Sequence, residues 1–340
     1  MDVVHAEACT VAFINRFHAV QSRPSAVVSG NILHTRFSRW GLYSMMNNLA
    51  VVILGTVANN MTLCVRTEPW PYAPSPTFEA MHGCRGAACY LQAVDVLWPP
   101  ACESPMPTNV NSPEIHDVLR KANPRQAGGA LGAACAPYAR SAVTRLLFRV
   151  KPQLLTQIDR SVAQFFGIEN AARLPPYIAI HVRWGDKVRE AARIRAEEYV
   201  AAASALCDKH RVRTILLATS SPAAITAIAT QVDKVRPDLK LIVPTSRARM
   251  ADEDFQGENK WLNASALPED SFVSAYSDEQ LIISAMAAVV TMSSNMGRFP
   301  YWYNYGAIQT GSYELINLDR DKRTGKLFVP TMSWPSWAVP

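Results

Sequence analysis

The most regular feature of the chain is a set of short apolar segments that each end in polar residues. PYIAIHV (176–182) is apolar at odd and even positions alike. That pattern predicts a strand buried on both faces, as in the interior of a parallel sheet. TILLATS (214–220) and LKLIVPT (239–245) are of the same kind, and VVTMSS (289–294) ends a fourth. Between them lie segments of helical character. AEEYVAAASALCDKH (196–210) is alanine-rich. SPAAITAIATQVDKV (221–235) offers Ser220 or Ser221 as N-cap and Pro222 in its first turn. SDEQLIISAMAAVV (277–290) is a helix running into the last strand, with Asp278 in its first turn, where the helix dipole favours an acid. Alternating strands and helices predict a parallel sheet covered by helices, a Rossmann-like α/β domain.

The first half is less regular. GLYSMMNNLAVVILGTVANN (41–60) has the length of a helix and MTLCVRT (61–67) that of a strand. A proline-rich loop follows, EPWPYAPSPT (68–77), and then a stretch rich in small residues, proline and cysteine (78–137). Residues 139–168 carry apolar positions at helical spacing and predict one or two helices. At 340 residues the chain is long enough for two domains of about 150 residues. The change of pattern at LPP (174–176) divides it into an N-terminal, less regular α/β domain (1–170) and a C-terminal Rossmann-like domain (171–340).

Composition narrows the choice of ligand. With 49% hydrophobic and 18% charged residues the chain is of the folded, globular kind. Its net charge of +6 suits an anionic small molecule. No long Lys/Arg run and no RNA-stacking motif argues for nucleic acid. The longest apolar stretch, LAVVILGTVA (49–58), is about half of a membrane span. The N-terminus, with Asp2 and Glu7, does not read as a signal peptide. The chain therefore reads either as cytoplasmic or, where a membrane anchor belongs to a longer protein, as a Golgi or secretory-lumen domain. Six of the seven cysteines, Cys9, Cys64, Cys84, Cys89, Cys102 and Cys135, lie in the first 135 residues, and Cys207 stands apart. That clustering hints at disulfides, as do the sequons at Asn60 and Asn263 at glycosylation. No CxxC pair or HExxH motif is present, so no zinc site is expected.

In a parallel α/β sheet, ligands bind outside the carboxyl ends of the strands. The first such end carries His181, Arg183, Asp186 and Lys187; the second carries Ser220 and Ser221; the last carries Ser293, Ser294, Asn295 and Arg298. Cations, hydroxyls and helix N-termini together suit a phosphate. Neither GxGxxG nor a P-loop occurs there. The acids at Asp252, Asp254, Asp319 and Asp321 form DxD-like pairs but read as loop residues, not as a metal–diphosphate site.

HVRWGDKVREAARIRAEEY (181–199) resembles the nucleotide-sugar motif of the α1,6-fucosyltransferase family, HVRRxDKxxxEAA followed by EEY. One residue fewer separates Lys187 from Glu190 here. LATSSP (217–222) is similar to the family's LATDDP, VVTMSSNMGR (289–298) to its VCTFSSQVCR, and Asp278 lies thirteen residues before Thr291, where the family has a guanine-contacting acid. Residues 41–73 resemble the family's first catalytic helix and strand. The resemblance implies a GT-B-like fold, two Rossmann-like domains facing a cleft, the first on the acceptor side. It implies inverting, metal-independent transfer of fucose from GDP-β-L-fucose, with no cofactor, to a glycan or glycoprotein hydroxyl. Arg183 would meet the β-phosphate, aided by Ser293, Ser294 and Arg298. His181 and Asp278 would contact guanine. Glu190 would be the base, with Lys187 and Asp186 beside it.

The sequence departs from that pattern in places. Trp184 stands where the family has a second arginine, Ser220-Ser221 where it has two acids, and the cysteine pair of the last loop is missing. Trp184 would pack or stack on a ring. Tyr199, Ser220 and Ser221 are further candidates for the site. Related HVRxxD loops occur in α1,2- and protein O-fucosyltransferases. Another fucose linkage, another GDP-sugar, or an inactive glycan-binding relative are therefore the alternatives.

Overall fold

The computed structural model describes residues 3–22, 32–36, 42–58, 60–66, 90–92, 133–184, 193–244 and 271–320. These fall into two compact units, which divide along the chain between Pro152 and Gln153.

In the first unit, α1 (Val3–Gln21), β1 (Ile32–Arg36), α2 (Leu42–Ala58), β2 (Thr62–Arg66) and α3 (Ala136–Leu147) form one packed body. β1 and β2 pair in parallel, from Ile32 opposite Thr62 to Arg36 opposite Arg66, with α2 as the crossover between them. The expected helix and strand at 41–67 are thus α2 and β2. β1 and α1 were not foreseen: ILHTR is short and half polar, and α1 shows its helical stripe only in the burial of Cys9, Phe13, Phe17 and Val20. Deep in this unit the Arg140 guanidinium donates to the Asn47 carbonyl at 2.8 Å and to its side-chain oxygen at 3.2 Å. A disulfide joins Cys9 to Cys135, Cys64 is disulfide-bonded as well, and Cys207 is a buried free thiol. Cys9, Cys64 and Cys135 are thus bridged, as their clustering suggested; Cys84, Cys89 and Cys102 lie outside the described residues.

The second unit opens with α4 (Pro152–Phe166). Residues 139–168 therefore form two helices, α3 and α4, separated just before Pro152, whose ring and missing N–H start a helix but cannot continue one. Five parallel strands follow: β3 (Ile178–His181), β4 (Thr214–Ala218), β5 (Lys240–Ile242), β6 (Ala287–Val290) and β7 (Glu314–Asn317). Their order is β5-β4-β3-β6-β7. The chain builds outward from β3 in one direction, then returns to build outward in the other. This is the doubly wound order, and its reversal lies between β3 and β6. β7, half-buried along its whole length, has no apolar run to announce it.

The helices of this unit are α5 (Ala196–His210), α6 (Pro222–Val235), α7 (Ser271–Ile283), α8 (Asn295–Tyr303) and α9 (Tyr305–Thr310). Ile178, Ile180, Val182 and Trp184 share one core cluster with Tyr199, Ala203, Leu206 and Ile228 of α5 and α6. Strand periodicity of two then turns His181 and Arg183 to the other face. α7 begins earlier than expected, so Asp278 lies past its middle rather than in its first turn; the dipole reading of Asp278 is corrected accordingly. The last carbonyls of α7 have no partner within the helix. Side chains supply the partners: Tyr177 donates to Leu281, Tyr313 to Ile282 and Asn304 to Ile283, at 2.7, 2.8 and 3.1 Å.

Beside this cap Glu279 is fully buried, and neither carboxylate oxygen makes a hydrogen bond among the described residues. Burial pushes its carboxyl well above the ordinary range, so the folded state holds it neutral. A folded-state pKa raised above the unfolded value favours the fold at low pH. That contribution declines as pH rises from the unfolded carboxyl value towards the folded one. Thermal unfolding of Glu279→Gln and the native chain at pH 5 and pH 8 should show the native chain losing stability relative to the variant at pH 8. Equal losses in both would contradict a neutral buried carboxyl.

Candidate active site

The site is built where the sheet reverses. β3 stays in register with β4 one residue beyond its end, Val182 N–H donating to the Ala218 carbonyl at 3.1 Å. His181 and Arg183 thus leave the sheet on a fixed strand, next to the end of β6. His181 is 2% exposed. Burial, reinforced by the charge of Arg183, pulls its imidazole down to about 3, so it is neutral at physiological pH. Arg183 is half-buried.

The end of β6 is shaped by a close approach. A Cβ on Gly297 would lie 2.1 Å from the Thr291 carbonyl oxygen and 3.1 Å from His181 Nδ1. Only glycine lets the first turn of α8 come this near the strand ends. His181 Nδ1 and the hydroxyls of Thr291 and Tyr199 are buried there and make no hydrogen bond among the described residues. The Tyr199 hydroxyl faces Thr291 without closing a bond to it, and burial raises the phenol above its ordinary range.

The β6–α8 loop is held from both sides. Ser293 N–H donates to Asp319 Oδ2 at 2.5 Å, and Met292 N–H to the Asn317 side chain at 3.2 Å. Arg298 donates to the Met292 and Ser293 carbonyls at 3.0 and 3.3 Å. Arg298 therefore braces the loop through its guanidinium. The Ser294 N–H is spent on Thr291 at 3.2 Å. With both N–H groups spent, what Ser293 and Ser294 can still offer are their hydroxyls; that of Ser294 makes no capping bond to α8. Asp319 lies in the loop just after β7, as expected, but it is 2% exposed and fixes the β6–α8 loop. Its apolar neighbours in INLD give a partial signal of burial that the DxD spacing obscured.

The remaining candidates separate. Ser221 caps α6, its hydroxyl accepting from Ala224 N–H at 3.1 Å; Ser220 is half-buried beside it. Tyr199 is wholly buried under the sheet and is a core residue. Asp278 is half-buried on α7, which packs against β3 and α8. Asp186, Lys187 and Glu190 lie outside the described residues, as do Asp252, Asp254 and Asp321. Trp184 packs. It is 7% exposed, its indole N–H donates to the Ile194 carbonyl at 3.1 Å, and the Arg193 guanidinium lies 3.8 Å from its ring centroid. Arg193 sits in a charged run before α5, where no motif marks it.

Among solved structures, the chain is similar to fucosyltransferases. A crystal structure of NodZ α1,6-fucosyltransferase soaked with GDP-fucose is 15% identical, with a TM-score of 0.45 over 80% of this chain and 92% of that one. Arabidopsis thaliana FUT1, a mutant in complex with GDP, is 11% identical, with a TM-score of 0.45 over 87% and 77% of the two chains. POFUT1 in complex with GDP is 11% identical, with a TM-score of 0.42 over 84% and 98%. No protein-family model and no curated protein matches the chain.

Gly297→Ala would force α8 away from Thr291 and His181. It is expected to cost about 1–3 kcal/mol of stability, as overpacking does. Differential scanning calorimetry should register the loss as a lower Tm; an unchanged Tm would contradict the close packing.

Proposed function

We propose that this chain is an inverting fucosyltransferase of the α1,6 type, moving fucose from GDP-β-L-fucose to a glycan or glycoprotein hydroxyl without a metal ion. The observation that carries the reading is the reversal point of the sheet. It is flanked by Arg183 and His181 after β3 and by the Ser293 and Ser294 hydroxyls and the N-terminus of α8 after β6. Such a crevice is where α/β sheets bind nucleotides, and its groups suit a diphosphate. Within the fold we place this unit as the donor half of a GT-B-like pair, with the N-terminal unit as the acceptor half.

The chemistry follows from where charge moves. As the acceptor oxygen attacks the anomeric carbon, the bond from that carbon to the β-phosphate breaks, and GDP departs carrying the added negative charge. Attack from the opposite side converts the β-linked donor into an α-linked product. Arg183 offers forked N–H donors to the departing phosphate. A charge-assisted hydrogen bond is worth about 1.5–3 kcal/mol in ordinary settings, and more where donors are fixed before charge develops. A neutral His181 suits hydrogen bonding to a base better than it suits binding phosphate. Following the resemblance, Asp278 shares the guanine and Glu190 takes the acceptor proton, with Lys187 and Asp186 near it.

Trp184 fits this reading without a second arginine beside Arg183. Position 184 belongs to the core-facing series of β3, where a guanidinium would have to be desolvated. The exposed Arg193, stacked on that indole, is a cation held just past the strand by packing rather than by sequence adjacency. We assign it the supporting charge. The bridged Cys9, Cys64 and Cys135 favour an oxidising lumen as the compartment.

Calorimetry with GDP, UDP and their sugars should show binding only of GDP and GDP-sugars, with GDP-fucose the one that turns over. Selective binding of UDP would overturn the donor assignment. Arg183→Ala should lower transfer by about 100-fold or more, the usual loss for a group that stabilises developing charge, with the fold intact by circular dichroism. Arg193→Ala should weaken GDP by about tenfold, one charge-assisted hydrogen bond. Activity in EDTA should equal that without it.

A further inference from the structure

The bridged cysteines of the first unit have a third neighbour. His5 and Cys9 are one turn apart on α1, so they share a face, and His5 Nε2 lies 3.5 Å from Cys9 Sγ. Cys135, the partner of Cys9, is the N-cap of α3. The three ligand atoms all lie within 4.8 Å of one another, the single such trio among the described residues. His5 is exposed, while Cys9 and Cys135 are buried.

We propose that His5, Cys9 and Cys135 form a Zn²⁺ site of two thiolates and one imidazole when the disulfide is opened by a dithiol reductant. This inference is independent of the proposed transferase activity. The distances suit a tetrahedral ion. With Zn–S near 2.3 Å and Zn–N near 2.0–2.1 Å, a thiolate and an imidazole nitrogen on one zinc stand roughly 3.6 Å apart, and two thiolates roughly 3.8 Å. The His5–Cys9 pair already has that separation at 3.5 Å. Breaking the S–S bond lets the sulfurs part to theirs by side-chain rotation. The exposed side, next to His5, leaves the fourth position to water.

The redox step balances. A thiolate of the reductant attacks Cys9 Sγ and forms a mixed disulfide, and Cys135 leaves as a thiolate. The N-terminus of α3 favours that anion, which makes Cys135 the better leaving group. The reductant's second thiol then displaces Cys9, and the reductant ends as its own disulfide. The protein pair has gained two electrons and two protons. Zn²⁺ binding releases those protons, because the ligands are thiolates. One cluster thus has two exclusive closed forms, a disulfide and a metal-bound dithiolate, chosen by the reducing power of the surroundings. No short ligand spacing marks the site in the sequence, because Cys135 lies 126 residues from Cys9.

The test uses the full chain, reduced with a dithiol, freed of it under anaerobic conditions, and titrated with Co²⁺ as an optical substitute for zinc. The expected result is one Co²⁺ per chain with a thiolate-to-cobalt charge-transfer band, displaced by Zn²⁺ and absent from the oxidised chain. Reduction also frees other cysteines, so His5→Ala decides. It removes an exposed residue and leaves both thiols in place, and should weaken binding by more than about tenfold, since even second-shell partners of zinc ligands are worth that much. Cys135→Ser should remove the band. A band unaltered in His5→Ala, or no band in the reduced native chain, would overturn the proposal.

Discussion

The parallel pairing of β3 with β6 is the constraint on which the rest of the second unit depends. Ile178, Ala179 and Ile180 lie opposite Ala287, Ala288 and Val289, and none of the six is exposed to solvent. Strands so buried on both faces cannot slip by one residue without driving a polar side chain into the core. Register is therefore fixed, and with it the position of everything just beyond the strand ends. His181 and Arg183 leave β3, and Thr291 to Ser294 leave β6, at the place where the winding of the sheet reverses. The closeness of Gly297 to Thr291 and His181 seals that junction with no room for a side chain.

Surrounding contacts turn this placement into a rigid site. Three side chains cap the last carbonyls of α7, which holds the helix bearing Asp278. Asp319 accepts from the N–H of Ser293 and Arg298 donates to the carbonyls of Met292 and Ser293, which pins the β6–α8 loop. A site meant to meet developing charge gains from groups that need not reorganise when the charge appears. The same packing explains Trp184. Its position alternates with Ile180 and Val182 towards α5 and α6, so an indole with its N–H bonded to Ile194 belongs there.

Much of the second unit was legible in the sequence. Apolar runs gave β3, β4, β5 and β6, and alanine-rich spacing gave α5 to the residue. Ser221 and Pro222 marked the start of α6. The failures have physical causes. β7 pairs at an edge and carries no buried run, and α1 carries Val4, Val11 and Ile14 on its exposed side, which blurs its buried stripe. Asp278 was placed in a first turn because nothing in 271–276 reads as a helix start. Within the site, motif spacing found Arg183 and His181 but could not separate hydroxyls that cap a helix from hydroxyls that do not. Ser221 and Ser294 look alike in sequence; only the first closes a capping bond. Asp319 and Arg193 were missed because one acts through a backbone N–H and the other through an indole face.

The first unit owes its cohesion to different means. A parallel strand pair, the buried Arg140–Asn47 contacts and the Cys9–Cys135 bridge hold elements that are far apart in the chain. In the second unit, a crystal structure with GDP bound tests the donor assignment most directly. The diphosphate should lie between the ends of β3 and β6, with the Arg183 guanidinium about 2.7–2.9 Å from a β-phosphate oxygen. GDP bound elsewhere, or Arg183 turned away from it, would contradict the assignment.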